Sequence, residues 1–267
     1  MNPPAAFIMS RRDDRRLDFK FQGLTNDELR RRREETTIEL RKTRRDDLLS
    51  KRRNLNEATA ESPNVSLEDE PRAATTTRIG EKYKEPLYSN DSHAIFDACQ
   101  GFRKILSKER HPPIQQVIEL GVVDRLVELL SSKGIPPETP IELAEKIIFE
   151  AAWALTNIAS GATEQTLTVV HANAVPIFID LLTSLNKEIR EQAIWALGNI
   201  SGDGPQLRDY VLQCNAMSNL LSVIYEEASL PNPNLPLLRN AVWTVSNLCR
   251  GKPFPSWNQV NPCLLFN

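Results

Sequence analysis

A pattern of apolar and polar positions occurs three times in the second half of the chain. It runs Glu150-Ala-Ala-Trp153-Ala-Leu-Thr-Asn157-Ile-Ala-Ser-Gly161, and it returns around Trp195 and Trp243. The three tryptophans are 42 and then 48 residues apart. Periods of about 40–47 residues are typical of helical solenoids, in which each unit stacks on its neighbour to complete a shared core. The pattern therefore predicts a stack of similar helical units.

Within each copy, the apolar residues fall on one side of an α-helix. A helix turns about 100° per residue, so with Trp at 0° the positions two before, two after and five after it lie between about 140° and 200°. These positions hold small or aliphatic residues in every copy, namely Ala151, Leu155, Ile158, Ala193, Leu197, Ile200, Ala241, Val245 and Leu248. We expect this stripe to face the core.

The tryptophans lie almost opposite that stripe, and each has an asparagine one turn further on, at about 40°. A polar residue stands three positions before each tryptophan, at about 60°. The polar residues are Glu150, Gln192 and Asn240, and the asparagines are Asn157, Asn199 and Asn247. A single such Trp is ordinarily core filler, but three repeated pairs beside a complete core stripe favour a binding surface. We therefore expect an exposed Trp–Asn ladder along one side of the stack.

Glycines and prolines divide the region around the ladder into units of three helices, the third being the longest. The predicted fold is all-α, a right-handed armadillo-repeat solenoid of about four repeats. A fifth unit begins at Trp257 and stops within an apolar pattern, so we expect a C-terminally truncated chain whose open end self-associates through Leu264, Leu265 and Phe266. The predicted helices are Ala94–Lys108, Pro113–Leu120, Val122–Ser131, one ending at Ser160, Glu164–Ala172, Ala174–Leu185, Lys187–Ser201, Gln206–Cys214, Ala216–Glu227 and Leu237–Arg250.

The net charge of the 267-residue chain is −2, but its basic and acidic residues are unevenly distributed along the sequence. Residues 1–55 hold 16 Lys/Arg against 10 Asp/Glu, whereas residues 56–267 hold 17 against 25. A basic arm (1–55) thus precedes an acidic repeat region (91–267). Between them, residues 56–90 are rich in Ser, Thr, Glu and Pro, which predicts a flexible linker. The composition of the arm permits a nucleic-acid partner, an acidic protein groove or a solvated helix, and does not choose among them.

No pattern for catalysis or metal binding is present. The three histidines are scattered, and the four cysteines lack metal-like spacing and Cys-x-x-Cys pairs, which favours reduced intracellular thiols. We expect no enzymatic activity, no metal and no cofactor. No apolar run approaches 18 residues and no signal-peptide core is present, so we expect a soluble protein without membrane contact.

Several motifs make the chain resemble the importin-α family of nuclear-import adaptors over nearly all its length. In the arm these are Arg30-Arg-Arg-Arg-Glu-Glu, Leu40-Arg-Lys and Lys51-Arg-Arg-Asn. In the repeats they are Phe102-Arg-Lys-Ile-Leu-Ser-Lys, Pro112-Pro-Ile, Trp195-Ala-Leu-Gly-Asn-Ile, Arg208-Asp-Tyr-Val-Leu and Asn247-Leu-Cys-Arg-Gly. The resemblance implies an adaptor that binds importin-β and cargo proteins with basic nuclear localisation signals.

The resemblance also implies a major site for these signals. The tryptophans would form slots for the stems of Lys or Arg, the asparagines would hydrogen-bond the peptide backbone, and Asp203 would pair with the key lysine. The implied contact residues are Trp153, Asn157, Gly161, Thr166, Gln192, Trp195, Asn199, Asp203, Asn240, Trp243 and Asn247.

For the arm, the resemblance implies importin-β binding and autoinhibition. The importin-β contacts would be Arg30, Arg31, Arg32, Arg33, Arg41, Lys42, Arg44 and Arg45. The segment Lys51-Arg52-Arg53 resembles a localisation signal itself and would occupy the major site until importin-β takes the arm, because tethering gives an effective concentration on the order of millimolar.

The resemblance further implies shuttling between cytoplasm and nucleus, with nucleoporins as additional partners. Exportin binding is not carried over, since the family's exportin site lies in later repeats. The stretch 131–144, longer than in the family, is expected to bulge at the surface. The alternative function is an armadillo scaffold in signalling or cytoskeletal assembly, but the ladder and the acidic repeats favour basic peptides. The acidic repeats also argue against nucleic acid.

Overall fold

The computed structural model describes residues 72–107 and 112–261, which all belong to one unit spanning residues 62–267. The described part contains helices and no strands, as predicted, and none of its helices is long and apolar enough to cross a membrane. The predictions for the arm, the start of the linker and residues 262–267 lie outside the described residues. The helices are α1 (Arg72–Leu87), α2 (Ser92–Leu106), α3 (Ile114–Glu119), α4 (Val123–Glu128), α5 (Ile141–Ile158), α6 (Thr163–His171), α7 (Ala174–Leu181), α8 (Lys187–Asp203), α9 (Pro205–Gln213), α10 (Ala216–Ala228), α11 (Leu235–Cys249) and α12 (Trp257–Val260).

The predicted units of three helices are α3–α5, α6–α8 and α9–α11. The third helices make the most extensive contacts between units, since α2 packs on α5, α5 on α8 and α8 on α11. Helix α2 therefore takes the place of the third helix in a first unit.

The apolar stripe predicted for the third helices forms the core. Its alanines, leucines and isoleucines are fully buried in one continuous aliphatic cluster, while Val245 is half-buried and packs against that cluster. Burial follows the stacking. Ala152 and Ile194 are buried between successive third helices, whereas Val242, at the same position in α11, is 56% exposed.

The turn between the first and second helices of each unit repeats a left-handed backbone position. Gly121, Asn173 and Asn215 have φ values of 69°, 61° and 62°. Glycine and asparagine adopt this conformation more readily than other residues, so the three turns reverse the chain in the same way. Asparagines also begin two of the third helices, since the side chains of Asn186 and Asn234 accept hydrogen bonds from the first turns of α8 and α11.

The predicted flexible linker is wrong from residue 72 onward, where α1 begins. Leu87 is fully buried, and the Tyr83 ring packs edge-on against Phe102 with 6.0 Å between ring centroids. Gly101 permits this approach, because a Cβ there would lie 2.6 Å from the Tyr83 ring. Tyr83 and Leu87 stand one turn apart and so share a helical face, and their packing outweighs the polar composition of the segment.

Two second helices are shorter than predicted. α4 ends at Glu128 and α7 at Leu181, and Leu185 is fully exposed, so it does not extend the apolar face. The predicted surface loop 131–144 is also shorter, since α5 begins at Ile141. This loop is held to the repeats at two places. Ile135 is buried in the hydrophobic cluster, and the Thr139 hydroxyl lies 2.5 Å from that of Ser92.

A buried carboxylate joins the last complete unit to α8 of the unit before it. Glu227, at the end of α10, accepts a hydrogen bond from the backbone N–H of Asn234 at 2.7 Å, and it pairs with Lys187 at 3.3 Å and Arg190 at 3.8 Å. The Asn234 N–H, followed by the two cations, holds the pKa of Glu227 below its ordinary value of 4.5, although burial acts in the opposite direction. The ionised form is therefore the one that the fold stabilises.

Helices α8 and α11 approach closely at Gly198. A Cβ at this position would lie 2.1 Å from the Trp243 ring and 2.6 Å from the Thr244 hydroxyl. Thr244 is fully buried, and its hydroxyl donates across the interface to the carbonyl of Ile194 at 3.0 Å. The missing side chain of Gly198 thus sets the position of one ladder tryptophan.

We predict that Glu227→Gln lowers the free energy of unfolding at neutral pH by about 1.5–3 kcal/mol, because a buried charged acceptor is lost. Since the folded pKa is depressed, the contribution is complete above about pH 4.5 and disappears as the pH falls through the folded pKa. The variant should therefore lose less stability than wild type below pH 4.5. Urea unfolding at pH 7 and at pH 4 measures this, with exposed Glu226→Gln as control. An equal pH dependence in wild type and Glu227→Gln would contradict the assignment.

We predict that Gly198→Ala destabilises the fold, although alanine favours a helix over glycine by about 1 kcal/mol. The added methyl group overlaps the Trp243 ring, and overpacking of this kind costs about 1–3 kcal/mol. Thermal unfolding measures the change. The matched control is Ser246→Ala, which is exposed at the same position in α11 and should change stability by less than about 0.5 kcal/mol. A Gly198→Ala variant more stable than wild type would exclude the close packing.

Candidate functional site

The three Trp–Asn pairs lie on the successive third helices α5, α8 and α11. Within each pair, the tryptophan and the asparagine are one helical turn apart. Their exposure is lower than predicted: Trp153 is 8% exposed, Trp195 is 7% exposed, and Trp243 is half-buried. The predicted outward ladder is therefore wrong in degree: Arg103 lies over the Trp153 indole, and the Trp243 indole lies against Gly198. The three tryptophans nevertheless do not belong to the hydrophobic cluster that contains the core stripe.

The asparagines join each unit to the one before it. Asn199 donates from Nδ2 to the carbonyl of Thr156 at 3.0 Å, and Asn247 donates in the same way to the carbonyl of Gly198 at 2.9 Å. Asn157 donates to the Ser107 hydroxyl at 3.2 Å. Asn199 and Asn247 are thus oriented by equivalent bonds to backbone carbonyls across the repeat interfaces, whereas Asn157 bonds to a side chain of the preceding helix.

Because the Nδ2 atom of each asparagine donates to the preceding helix, the Oδ1 atom is the one that can accept a further hydrogen bond. The Oδ1 atom of Asn199 is buried and has no hydrogen-bond partner among the described residues. Buried carboxamide oxygens are ordinarily hydrogen-bonded, so this atom can accept a hydrogen bond from a donor that the described residues do not supply. The Oδ1 of Asn247 instead accepts from the guanidinium of Arg250.

A third position stands four residues after each asparagine, and only in α8 does it still lie within the helix. That position holds an acid only in α8, where Asp203 is the last helical residue, rather than just after the helix as predicted. The corresponding residues of the other units are Gly161 and Gly251. Trp195, Asn199 and Asp203 therefore follow one face of α8.

Other predicted contact residues have partners within the chain. Asn240 donates to the carboxylate of Glu191 at 3.0 Å, and both Gln192 and Glu191 are buried. Thr166 is fully buried, and its hydroxyl donates to the carbonyl of Ala159 at 3.2 Å. Gly161 lies beneath Gln165, whose side-chain oxygen would be 2.1 Å from a Cβ at that position. Thr166 and Gly161 thus shape the turn between α5 and α6.

Trp153 has neighbours that sequence analysis missed. The Arg103 guanidinium lies over its indole, 4.7 Å from the ring centroid, and Phe149 packs edge-on against it at 5.5 Å. Arg103 also pairs with Glu150, with Nε 2.7 Å from Oε2. Arg103 and Ser107 stand 50 residues before Trp153 and Asn157. This spacing could have indicated the contact, but Arg and Ser do not match Trp and Asn, so a search for repeated residue types misses it.

The structure therefore brings together the ladder residues of α5, α8 and α11, with Asp203, Gln192 and Asn240 close to them in sequence on the same helices. The predicted autoinhibitory residues Lys51, Arg52 and Arg53, and the predicted importin-β contacts between Arg30 and Arg45, lie outside the described residues.

Two family models match the chain. The model for the Importin beta binding domain matches residues 15–100, and the model for the Armadillo/beta-catenin-like repeat matches residues 162–202. The first match extends beyond the predicted arm and ends within α2.

Curated relatives cover most of the chain. Importin subunit alpha-2 of Arabidopsis thaliana is 44% identical over 241 residues, which are 89% of this chain and 42% of the relative. Importin subunit alpha-1a of Oryza sativa subsp. japonica is 44% identical over 245 residues, again 89% and 42%. Probable importin subunit alpha-A of Dictyostelium discoideum is 38% identical over 274 residues, 95% and 48%. The chain thus spans less than half the length of these relatives.

Solved structures of similar fold are armadillo repeat proteins. A designed armadillo repeat protein in complex with the peptide (KR)4 aligns with a TM-score of 0.55 and 25% identity, over 68% of this chain and 67% of that one. A second designed armadillo repeat protein aligns with a TM-score of 0.53 and 24% identity, over 63% of each chain. The predicted armadillo-repeat fold is confirmed, and together with the importin alpha relatives it means that the chain belongs to the importin-α family.

Proposed function

We propose that this chain is a nuclear-import adaptor that binds basic nuclear localisation signals along the Trp–Asn ladder. Its N-terminal arm binds importin-β, and the adaptor shuttles between cytoplasm and nucleus. Cargo proteins enter the complex through exposed basic peptides, and the adaptor performs no chemical reaction.

The observation that carries this proposal is the register of the three Trp–Asn pairs. Each asparagine is fixed by a bond to the preceding unit, so Asn199 and Asn247 present their carboxamides in the same orientation along the stack. An extended peptide needs repeated backbone partners of this kind, and each such bond contributes about 1 kcal/mol net. Indoles alongside can hold the methylene stems of Lys or Arg, with a cation–π contribution of about 0.5–2 kcal/mol each.

Charge supports a basic ligand. Residues 56–267 hold 17 Lys/Arg against 25 Asp/Glu, and Asp203 lies on the ladder face of α8 one turn beyond Asn199. A carboxylate at that place attracts a lysine or arginine side chain whose stem lies along Trp195. The designed armadillo repeat protein of similar fold was solved with the alternating basic peptide (KR)4, which is the same ligand chemistry.

The proposed partner of the arm rests on the Importin beta binding domain match over residues 15–100. The arm carries the basic clusters that the importin-α resemblance assigns to importin-β, and its segment Lys51-Arg52-Arg53 has the chemistry of a ladder ligand. We propose that this segment occupies the ladder until importin-β binds the arm.

We predict that Asp203→Asn weakens binding of a lysine-rich localisation peptide about 5- to 30-fold. The reason is that a charge-assisted hydrogen bond of about 1–2 kcal/mol is lost. Fluorescence anisotropy with the full chain measures the affinity. Asp180→Asn removes an exposed acid from α7 and is the matched control for net charge. Equal effects of the two substitutions would mean that Asp203 makes no specific contact with the peptide.

We predict that replacing Lys51 and Arg52 by alanine raises the affinity for the same peptide when importin-β is absent. The gain should be about tenfold or more, because a tethered competitor at millimolar effective concentration is removed. Adding importin-β to wild type should produce the same gain, whereas it should change the variant little. An unchanged affinity of the variant in the peptide titration would remove autoinhibition from the proposal.

A further inference from the structure

A buried arginine lies at the end of the last ladder helix, α11. Arg208 stands near the start of α9, and its side chain is 1% exposed. Burial of a charged side chain is costly unless the charge is paired and hydrogen-bonded. Its paired acid is the next residue, Asp209, whose Oδ1 atom accepts from Arg208 Nε at 2.8 Å and lies 2.7 Å from Nη2. The third guanidinium nitrogen, Nη1, points to another helix.

Arg208 hydrogen-bonds the backbone where the chain leaves α11. Its Nη1 atom donates to the carbonyl of Arg250 at 2.8 Å. Arg250 is the first residue after the helix and has an extended backbone conformation. The next residue, Gly251, has a φ value of 101°, and a Cβ there would lie 3.0 Å from Arg208 Nη1. Because the last carbonyls of a helix lack partners within it and carry partial negative charge, a cation stabilises this end.

Packing alone does not require an arginine at this place. Gly161 stands four residues after its ladder asparagine, as Gly251 does in the last complete unit. One neighbour of Gly161 is Ile114, from the first helix of its unit, whose Cδ1 atom would lie 3.0 Å from a Cβ on the glycine. An aliphatic side chain thus packs at the corresponding place, and Arg208 adds a directed hydrogen bond there.

The end of α11 is next to the third rung of the ladder, the Trp243–Asn247 pair. The side chain of Arg250 donates to Oδ1 of Asn247, whose Nδ2 atom donates to the carbonyl of Gly198 at 2.9 Å. The Asn247 carboxamide is therefore held at both of its polar atoms. Arg208 fixes the backbone of Arg250, and Arg250 fixes the carboxamide, so the buried cation is connected to the ladder through one intermediate residue.

We propose that Arg208 is a positioning residue of the Trp–Asn ladder, which holds the Asn247 carboxamide in place for a peptide without touching the peptide itself. This inference rests on the proposed function of the ladder and adds to it a residue from a first helix. The sign of the effect separates positioning from charge. Loss of a cation by itself would strengthen binding of a basic peptide, whereas loss of positioning weakens it. Since Asp209 already pairs with Arg208, we expect positioning to dominate.

The test is a double-mutant cycle on the full chain, read by fluorescence anisotropy with a lysine-rich peptide long enough to span the three rungs. The variants are Arg208→Met, Asn247→Ala and the combination of both. Methionine keeps an apolar stem and removes the donors. The matched control is Arg239→Met, which removes an exposed cation from α11. Circular dichroism melting checks that each variant is folded.

Arg208→Met should weaken peptide binding about three- to tenfold, whereas Arg239→Met should leave it unchanged or strengthen it up to about twofold. Asn247→Ala should weaken binding about fivefold, as expected for one hydrogen bond. In the Asn247→Ala background, the Arg208 replacement should change the affinity by less than about twofold, because its route to the peptide is gone.

A second replacement, Arg208→Lys, keeps one charged donor for the Arg250 carbonyl and should bind the peptide more tightly than Arg208→Met. If Arg208→Met does not fold, the same cycle is measured with Arg208→Lys. Its smaller loss of affinity should likewise disappear in the Asn247→Ala background.

Two results would overturn the inference while the proposed function still stands. One is an equal loss of affinity from the Arg208 replacement with and without Asn247, which would mean a general effect on the fold. The other is a folded Arg208→Met variant that binds the peptide as tightly as wild type or more tightly. If the peptide does not bind folded wild type, the ladder is not a basic-peptide site, and the proposed function fails together with the inference.

Discussion

The hydrogen bond from a ladder asparagine to the preceding third helix is the interaction on which the rest of the structure depends. Asn199 reaches the Thr156 carbonyl and Asn247 reaches the Gly198 carbonyl, both across a repeat interface. The bond fixes the spacing and rotation of one unit relative to the next, and it also orients the carboxamide along the ladder. Stacking and ligand recognition are therefore coupled, because a unit that shifted would misplace its own contact with the peptide.

The close packing at Gly198 adds to this coupling. Trp243 lies against the backbone of α8 at a place where a side chain would collide with it. The indole is thus positioned by the preceding unit, as the carboxamide is. Trp153 and Trp195 are 8% and 7% exposed, so their indoles are walls of fixed position rather than freely exposed side chains. Rigid aromatic walls lose little conformational entropy when a lysine stem packs against them.

Much of the fold was predictable because the apolar stripe of each third helix has strict helical spacing. Ala151, Leu155 and Ile158 are buried as their positions on the helix predict. Helix α1 was not predictable from composition, since its contact with α2 depends on the absence of a side chain at Gly101, far along the chain. For the site, the Trp–Asn pairs were visible as repeats. The stacking of Arg103 on Trp153 was not, because Arg103 lies on α2, whose sequence lacks the Trp–Asn pattern.

The central claim is that three indoles and their carboxamides form one surface for basic peptides, and the four tryptophans of the chain allow a direct measurement. Trp257 lies in α12, outside the three ladder helices, and is 70% exposed, so it serves as an internal control. Indole N–H signals of the ¹⁵N-labelled full chain can be followed by NMR during titration with a lysine-rich peptide. The account predicts that the signals of Trp153, Trp195 and Trp243 shift with one common dissociation constant while that of Trp257 stays in place. A peptide that binds and moves only the Trp257 signal, or none of the four, would contradict it.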